Sequence, residues 1–307
     1  MNTRMPLKNA LILLAAATIW GTAFVAQSAG MDYMGPLTFN GLRYFLGAGV
    51  LLPLVLMRGA KDGFVRPGGP SLARTLTGGF LCGCFLCLAS NLQQFAILSV
   101  EVGKAGFLTA MYIVIVPVLS FLVTRKTSLR LWISVALAGL GLYFLSISGG
   151  MRLETGDLAL ILCAFVFSLH IMCIDRFSDV DGVVLSFLQF LVAGTISLVL
   201  ALFTEKISWA AVSTGWFPLV YAGVFSCGIA YTFQIIGQKG VDPAVASLIL
   251  SLESVVSVLA GFLILGQRLS ARELFGCVLM FLAIILVQLP AGADKGKQPE
   301  RPGISQD

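Results

Sequence analysis

Long apolar runs separated by short polar loops fill this chain from residue 9 to residue 289. Ten stretches approach or exceed the roughly 20 residues needed to cross a ~30 Å hydrocarbon core. They lie at 9–27, 36–57, 76–98, 104–124, 129–148, 157–175, 183–203, 216–237, 243–265 and 271–289. Each predicts a membrane-spanning helix, so the expected fold class is an all-α membrane protein. The longest loop, Arg58–Arg74, carries Pro67, Gly68, Gly69 and Pro70, which cannot continue a helix. Residues 291–307 are polar and rich in Gly, Pro and Lys, and predict a disordered tail.

The pattern is written twice. Ala10-Leu11-Ile12-Leu13 opens the first run and Ala159-Leu160-Ile161-Leu162 the sixth. Gln93 lines up with Gln234, Glu101 with Asp242, Ala105 with Ala246, and Phe121-Leu122 with Phe262-Leu263. The units are residues 8–148 and 156–290, each with five expected helices. An odd number makes the second copy enter the membrane from the opposite side. Such inverted repeats recur in transporters that expose one midplane site alternately to each side.

Composition agrees with a lipid solvent. The chain of 307 residues is 58% hydrophobic and only 11% charged, with a mean hydropathy of +0.94. Soluble domains hold roughly 45–50% apolar and 25% charged residues. The net charge of +5 is scattered over short loops, which excludes a nucleic-acid stripe. Its distribution orients the chain. Arg4, Lys8, Arg58, Lys61, Arg66, Arg74, Arg125, Lys126, Arg130, Arg176, Lys239, Lys295, Lys297 and Arg301 fall on one side; Lys104, Arg152, Lys206, Arg268 and Arg272 fall on the other. That bias of 14 to 5 predicts both termini in the cytoplasm. The first run could pass for a signal peptide behind Arg4 and Lys8, but the matching run at Asp157–Cys173 makes it part of the repeat. All seven cysteines sit inside apolar runs; Cys84 and Cys87 share a helical face, but no His or carboxylate joins them at ligand spacing, and neither a metal, a cofactor nor a disulfide is expected.

Polar side chains at helical spacing inside lipid mark faces turned toward protein or a cavity. The expected path residues are Trp20, Asn40, Arg43, Asn91, Gln94, Tyr112, His170, Gln189, Gln234 and Glu253. For the Ser and Thr members of these stripes, such as Ser247, Ser251 and Ser254, close packing is the competing reading, and Gly79-x-x-x-Gly83 fits backbone contact. Glu253, near mid-helix, is either a protonatable coupling group or a neutral acid bonded to a neighbour. A charged carboxylate there costs at least about 2.5–3.5 kcal/mol. Arg43, roughly 10 Å into its helix at 1.5 Å per residue, is either a counter-charge for a substrate carboxylate or Glu253, or an arginine bonded to helix ends. His170 is either a proton shuttle or a core histidine. The fifth and tenth helices lack hydrogen-bonding side chains over Val135–Leu142 and, Cys277 apart, over Leu274–Val287; they are expected at the periphery, facing lipid or a second copy in a homodimer.

Enzyme chemistry has no constellation here. His170 and Asp175 form an H-x-x-x-x-D string, but five residues on a helix turn through about 500°, leaving the side chains some 140° apart. No Walker loop, Gly-x-Ser-x-Gly or His-Glu-x-x-His occurs. Pro53 and Pro117 fall inside expected spans and favour kinks, whereas Pro243 should start the ninth helix.

Trp20-Gly21-Thr22-Ala23-Phe24, Thr38-Phe39-Asn40-Gly41-Leu42-Arg43-Tyr44 and Ser168-Leu169-His170-Ile171 resemble EamA-type transporters of the drug/metabolite transporter superfamily. So do Ala246-Ser247-Leu248 through Leu252-Glu253, and Leu265-Gly266-Gln267-Arg268-Leu269-Ser270. The similarity covers about residues 8–290. It implies a ten-helix carrier of the bacterial inner membrane, built as two EamA-like repeats around a central cavity, that exports amino acids, metabolites or drugs. The chain departs from the family at Ser254, which often is Pro and would kink the helix beside Glu253, and at Gln267, which often is Glu. The reading is a secondary transporter of small solutes, with proton coupling through Glu253 as a hypothesis. A channel or facilitator, or a membrane enzyme acting on lipids, is the alternative.

Overall fold

The computed structural model describes residues 5–62, 69–125, 127–146, 154–265 and 270–289. The expected tail, and the loop residues Gln267 and Arg268, lie outside these. Ten helical segments follow one another: α1 (Leu7–Gly30), α2 (Pro36–Asp62), α3 (Leu72–Ile97), α4 in two pieces (Val102–Thr109 and Tyr112–Thr124), α5 (Leu129–Ser146), α6 (Thr155–Arg176), α7 (Gly182–Thr204), α8 (Trp216–Gln238), α9 in two pieces (Pro243–Leu250 and Leu252–Leu265) and α10 (Ala271–Gln288). A short helix, Trp209–Thr214, precedes α8. No strand occurs among the described residues. Eight of the segments are long and apolar enough to cross a membrane; α5 and α10 are shorter, at 18 residues each. The fold is therefore an all-α membrane protein, with the count of ten crossings left as an expectation for those two.

Local chemistry sets the helix ends. Ser71 accepts a bond from the Arg74 N–H, and Ser270 and Glu273 form a reciprocal capping box. Asp242 caps α9 by accepting from the Ala244 N–H, with Pro243 following it at the first helical position. Apolarity underestimates α2, which runs to Asp62 rather than 57. The run of Leu and Val marks where lipid ends, not where backbone bonding ends.

Swapping each helix for the one five places further along the chain leaves the principal packing pairs unchanged. The helix α3 packs on α6 as α8 packs on α1; α3 lies on α7 as α8 lies on α2; α1 meets α9 as α6 meets α4. Three pairs map onto themselves: α2 with α7, α4 with α9, and α5 with α10. Lipid tails are as apolar as leucine, so these pairs depend on close packing and interhelical bonds rather than on water exclusion. Gly79 and Gly83 of α3 face Leu188 and Val192 of α7, where an added Cβ would collide. The helices α5 and α10 lie away from the centre. They pack on each other so closely that a Cβ on Gly141 would lie 2.8 Å from the Gly276 carbonyl, and Phe144 stands edge-on to Phe275. Their remaining faces, including Leu140, Leu274 and Phe281, stay exposed.

The pair α2–α7 is clasped at both ends. Glu205, just past α7, accepts from Leu37 N–H (2.8 Å), Thr38 N–H (2.9 Å) and the Thr38 hydroxyl (2.7 Å) at the start of α2. A carboxylate there also meets the positive end of the helix dipole. At the far end Arg58 pairs with Asp181, which caps α7 by accepting from Val183 N–H and Val184 N–H. Beside it Arg74 holds the Asp179 carboxyl below the usual carboxylate range through a 2.6 Å bond.

Candidate functional site

The helices α4 and α9 are interrupted at corresponding points. Val102–Thr109 and Pro243–Leu250 begin 141 residues apart, and Ala110 and Ser251, at the interruptions, are 141 residues apart as well. In a continuous α-helix the carbonyls of Thr109 and Leu250 would accept from the N–H groups of Ile113 and Ser254. Those donors bond instead to Ala110 O (3.0 Å) and Ser251 O (3.1 Å), only three residues back. In α9 the hydroxyls of Ser247, Ser251, Ser254 and Ser257 each donate to the carbonyl three residues earlier, at 2.7–2.9 Å, competing with the backbone. The distortion near Glu253 that Ser254 in place of Pro puts in doubt is therefore present, at a serine and without a proline. In α4, Pro117 lies within the second piece, where its missing N–H leaves the Ile113 carbonyl without its helical partner rather than the Thr109 carbonyl.

At the interruptions Tyr112 and Glu253, again 141 residues apart, meet directly. The Tyr112 hydroxyl donates to Glu253 Oε1 at 2.8 Å, and both groups are buried. They line a small cavity of about 30 Å³, bounded also by Trp20, Phe24, Gln27, Arg43, Gln93, Thr109, Phe167, Ile171, Ser226, Tyr231, Gln234 and Leu250. That is room for roughly one or two waters, so a solute enters only when the lining helices part. Residues from α1, α2, α3, α4, α6, α8 and α9 contribute to it, so the cavity sits between the two halves of the chain.

The wall from α8 has its own local cause. Tyr221–Tyr231 winds as a π-helix, wider than the α-helices before and after it. Small residues there (Ala222, Gly223, Ser226, Cys227, Gly228) let α2 approach closely; Gly47 would meet the Cys227 side chain at 2.6 Å if it carried a Cβ. The Ser226 carbonyl accepts from Trp20 Nε1–H at 3.3 Å, and the Trp20 ring packs 4.7 Å from that of Tyr231. Such π segments concentrate at functional sites.

Five expected path residues line the cavity: Trp20, Arg43, Tyr112, Gln234 and Glu253. The other five do not. Asn40 donates to Asn91 Oδ1 (2.7 Å) and to the Ser90 carbonyl (3.0 Å), and Asn91 turns toward Ser197 Oγ (2.9 Å) and a second, apolar groove between α2, α3 and α7. Gln94 donates to the Gln27 carbonyl at 3.1 Å. His170 Nε2 and Gln189 Oε1 lie 3.0 Å apart in a buried pair linking α6 to α7. Gln27, Gln93, Thr109 and Tyr231 were outside the chosen set. Gln93, whose amide donates to the Thr109 hydroxyl at 3.1 Å, already carried a signal in its match to Gln234; Gln27 carried none. Among the described residues no three His, Cys, Asp or Glu side chains stand together as metal ligands would.

The profile of a family described as the EamA-like transporter family matches the chain twice, over residues 7–147 and 154–289. Among curated proteins, an uncharacterized transporter of Archaeoglobus fulgidus is 29% identical over 279 residues, spanning 90% of this chain and 84% of its own. The uncharacterized inner membrane transporter YedA of Escherichia coli K12 is 26% identical, spanning 93% and 91%. Protein PecM of Dickeya dadantii is 26% identical, spanning 89% and 90%. A solved crystal structure superimposes with a TM-score of 0.73, covering 91% of this chain and 96% of the other; at 21% identity the likeness is one of fold.

Proposed function

This chain belongs to the EamA-like transporter family, and from that premise we propose that it is a secondary carrier exporting small metabolites, amino acids or drugs across the inner membrane by alternating access. The Archaeoglobus fulgidus and Escherichia coli relatives carry transporter names, and a multi-pass protein of this class handles its solute within the bilayer. The observation that carries the proposal is the Tyr112–Glu253 bond. It joins two interrupted helices at corresponding positions, inside the cavity between the halves. Interrupted helices flanking a midplane site are the usual means by which carriers place backbone groups beside a solute.

The two halves, 8–148 and 156–290, act as inverted repeats with both termini cytoplasmic. They rock about the cavity, pivoting on the α2–α7 pair that is clasped at both ends. Glu253 is the coupling group. Ionised, it accepts a charge-assisted bond from Tyr112 and draws the two interruptions together; protonated, it holds Tyr112 less tightly and lets them part. A proton gradient then biases which side the cavity faces, since the chain has no nucleotide-binding loop to supply energy otherwise.

The test is reconstitution into liposomes, with a panel of amino acids and other metabolites screened for counterflow. A carrier accelerates labelled uptake when unlabelled solute is present on the other side; a channel does not. For a solute that passes, Glu253→Gln should abolish accumulation driven by a pH gradient while retaining counterflow. Unchanged gradient-driven accumulation in that variant would overturn the coupling role, and absence of counterflow for the whole panel would overturn the carrier.

A further inference from the structure

The cations that the fold pairs with carboxylates are the ones that need them least. Arg58 with Asp181, Arg74 with Asp179 and Lys104 with Asp157 all lie at helix ends, where each cation is at least partly exposed. Arg43 is only 1% exposed, deep in α2, and among the described residues no carboxylate lies within ion-pair distance of it. Its Nη1 donates to Gln27 Oε1 at 2.9 Å and its Nη2 reaches Tyr44 Oη at 3.4 Å. The rings of Phe39 and Tyr44 stand 5.7 and 5.1 Å from Cζ. Nε has no partner at all, although it is buried.

A guanidinium stays ionised in any protein environment, and a buried charge without a counter-charge is strongly destabilising. Neutral amides and ring faces offset only part of that cost. Arg43 nevertheless lines the cavity, and the carboxyl group that shares the cavity, Glu253, is bonded to Tyr112 rather than to Arg43. The edge bearing Nε is the one a carboxylate engages side-on, through two parallel N–H bonds. Gln234, which also lines the cavity, has its Oε1 buried without a partner, leaving an acceptor for a donor group on the ligand. Trp20, Phe24 and Phe167 line it too and favour an apolar body.

Resting on the carrier reading above, we infer that Arg43 is the anion subsite of the cavity, and that the transported solute is a small organic monoanion, a carboxylate with an apolar body. One fixed positive charge matches one negative charge. A phosphate dianion would bring a second charge into a cavity that offers no second cation.

Titration calorimetry on the purified full chain in nanodiscs tests this with three probes of one shape: 3-phenylpropionate, its neutral amide and 3-phenylpropylamine. The carboxylate should bind the wild-type chain about tenfold or more tightly than the amide, the usual worth of a hydrogen bond to a charged group. Arg43→Gln should erase that difference by weakening the acid far more than the amide, and Arg43→Lys should restore part of it. A purely structural Arg43 would instead lower thermal stability without changing the carboxylate-to-amide ratio. Equal binding of acid and amide by the wild type, preference for the amine, or no binding of the acid each overturns the subsite, and none of these needs a variant to fold. Counterflow of any solute from the panel, with the acid unbound, would leave the carrier standing and remove only the anion subsite.

Discussion

Gly21 shows how narrowly single residues set this cavity. It sits on α1 against the second piece of α9, where a Cβ would lie 2.7 Å from the Glu253 carbonyl and collide with the Val256 side chain. The neighbour is partly backbone, so it cannot swing away. Gly21→Ala should therefore force α1 off α9 beside Glu253, at the roughly 1–3 kcal/mol typical of overpacking. Gly49, with nothing within 4 Å of its added Cβ, is the control. There Gly→Ala should leave the thermal midpoint unchanged or raise it, since alanine favours helix. Scanning fluorimetry of both variants checks the pair, and equal midpoints would contradict the packing described. The serine stripe of α9 teaches a related point. Ser247, Ser251 and Ser254 read along the chain as small residues for close packing, yet their hydroxyls bond back to their own helix and interrupt it.

Between elements, the attachment of α7 to α2 rests on Glu205. Its carboxylate satisfies the first N–H groups of α2, and Gly35 leaves it room, because any Cβ there would overlap the carboxyl group. Glu205→Gln keeps the shape but removes the charge and one acceptor. The expected loss is about 1 kcal/mol, the ordinary worth of a helix cap, read as a lower thermal midpoint. Because α2 also carries Arg43, loosening its start should weaken 3-phenylpropionate binding as well; unaltered stability and binding would show that the clasp is incidental. None of this was legible beforehand. Glu205 lies in a loop 168 residues from Leu37, and loop acids are ordinary.

For the molecule as a whole, the packing pairs survive exchange of its halves, which is the arrangement two oppositely inserted units would adopt. The orientation proposed from the charge bias is open to direct test. In a cysteine-free background, single cysteines replacing Arg58 and Lys239 should react with an impermeant maleimide only in inside-out vesicles, and one replacing Lys206 only in intact cells. Arg58 and Lys239 labelled from opposite faces would break the inverted arrangement and the carrier reading with it.

The all-α membrane fold and the start of α9 at Pro243 were readable from the chain because their causes are local. Apolar length answers to lipid thickness, and a helix start to its first residues. The cavity was only half readable. Trp20, Arg43, Tyr112, Gln234 and Glu253 reach it, whereas Asn40, Asn91, Gln94, His170 and Gln189 bond within the bundle beside it. A polar residue inside lipid must find a partner, but whether that partner is another helix or a cavity depends on how each helix is rotated and where it is interrupted. Rotation and interruption are set by packing between segments more than a hundred residues apart, and only the tertiary structure decides them.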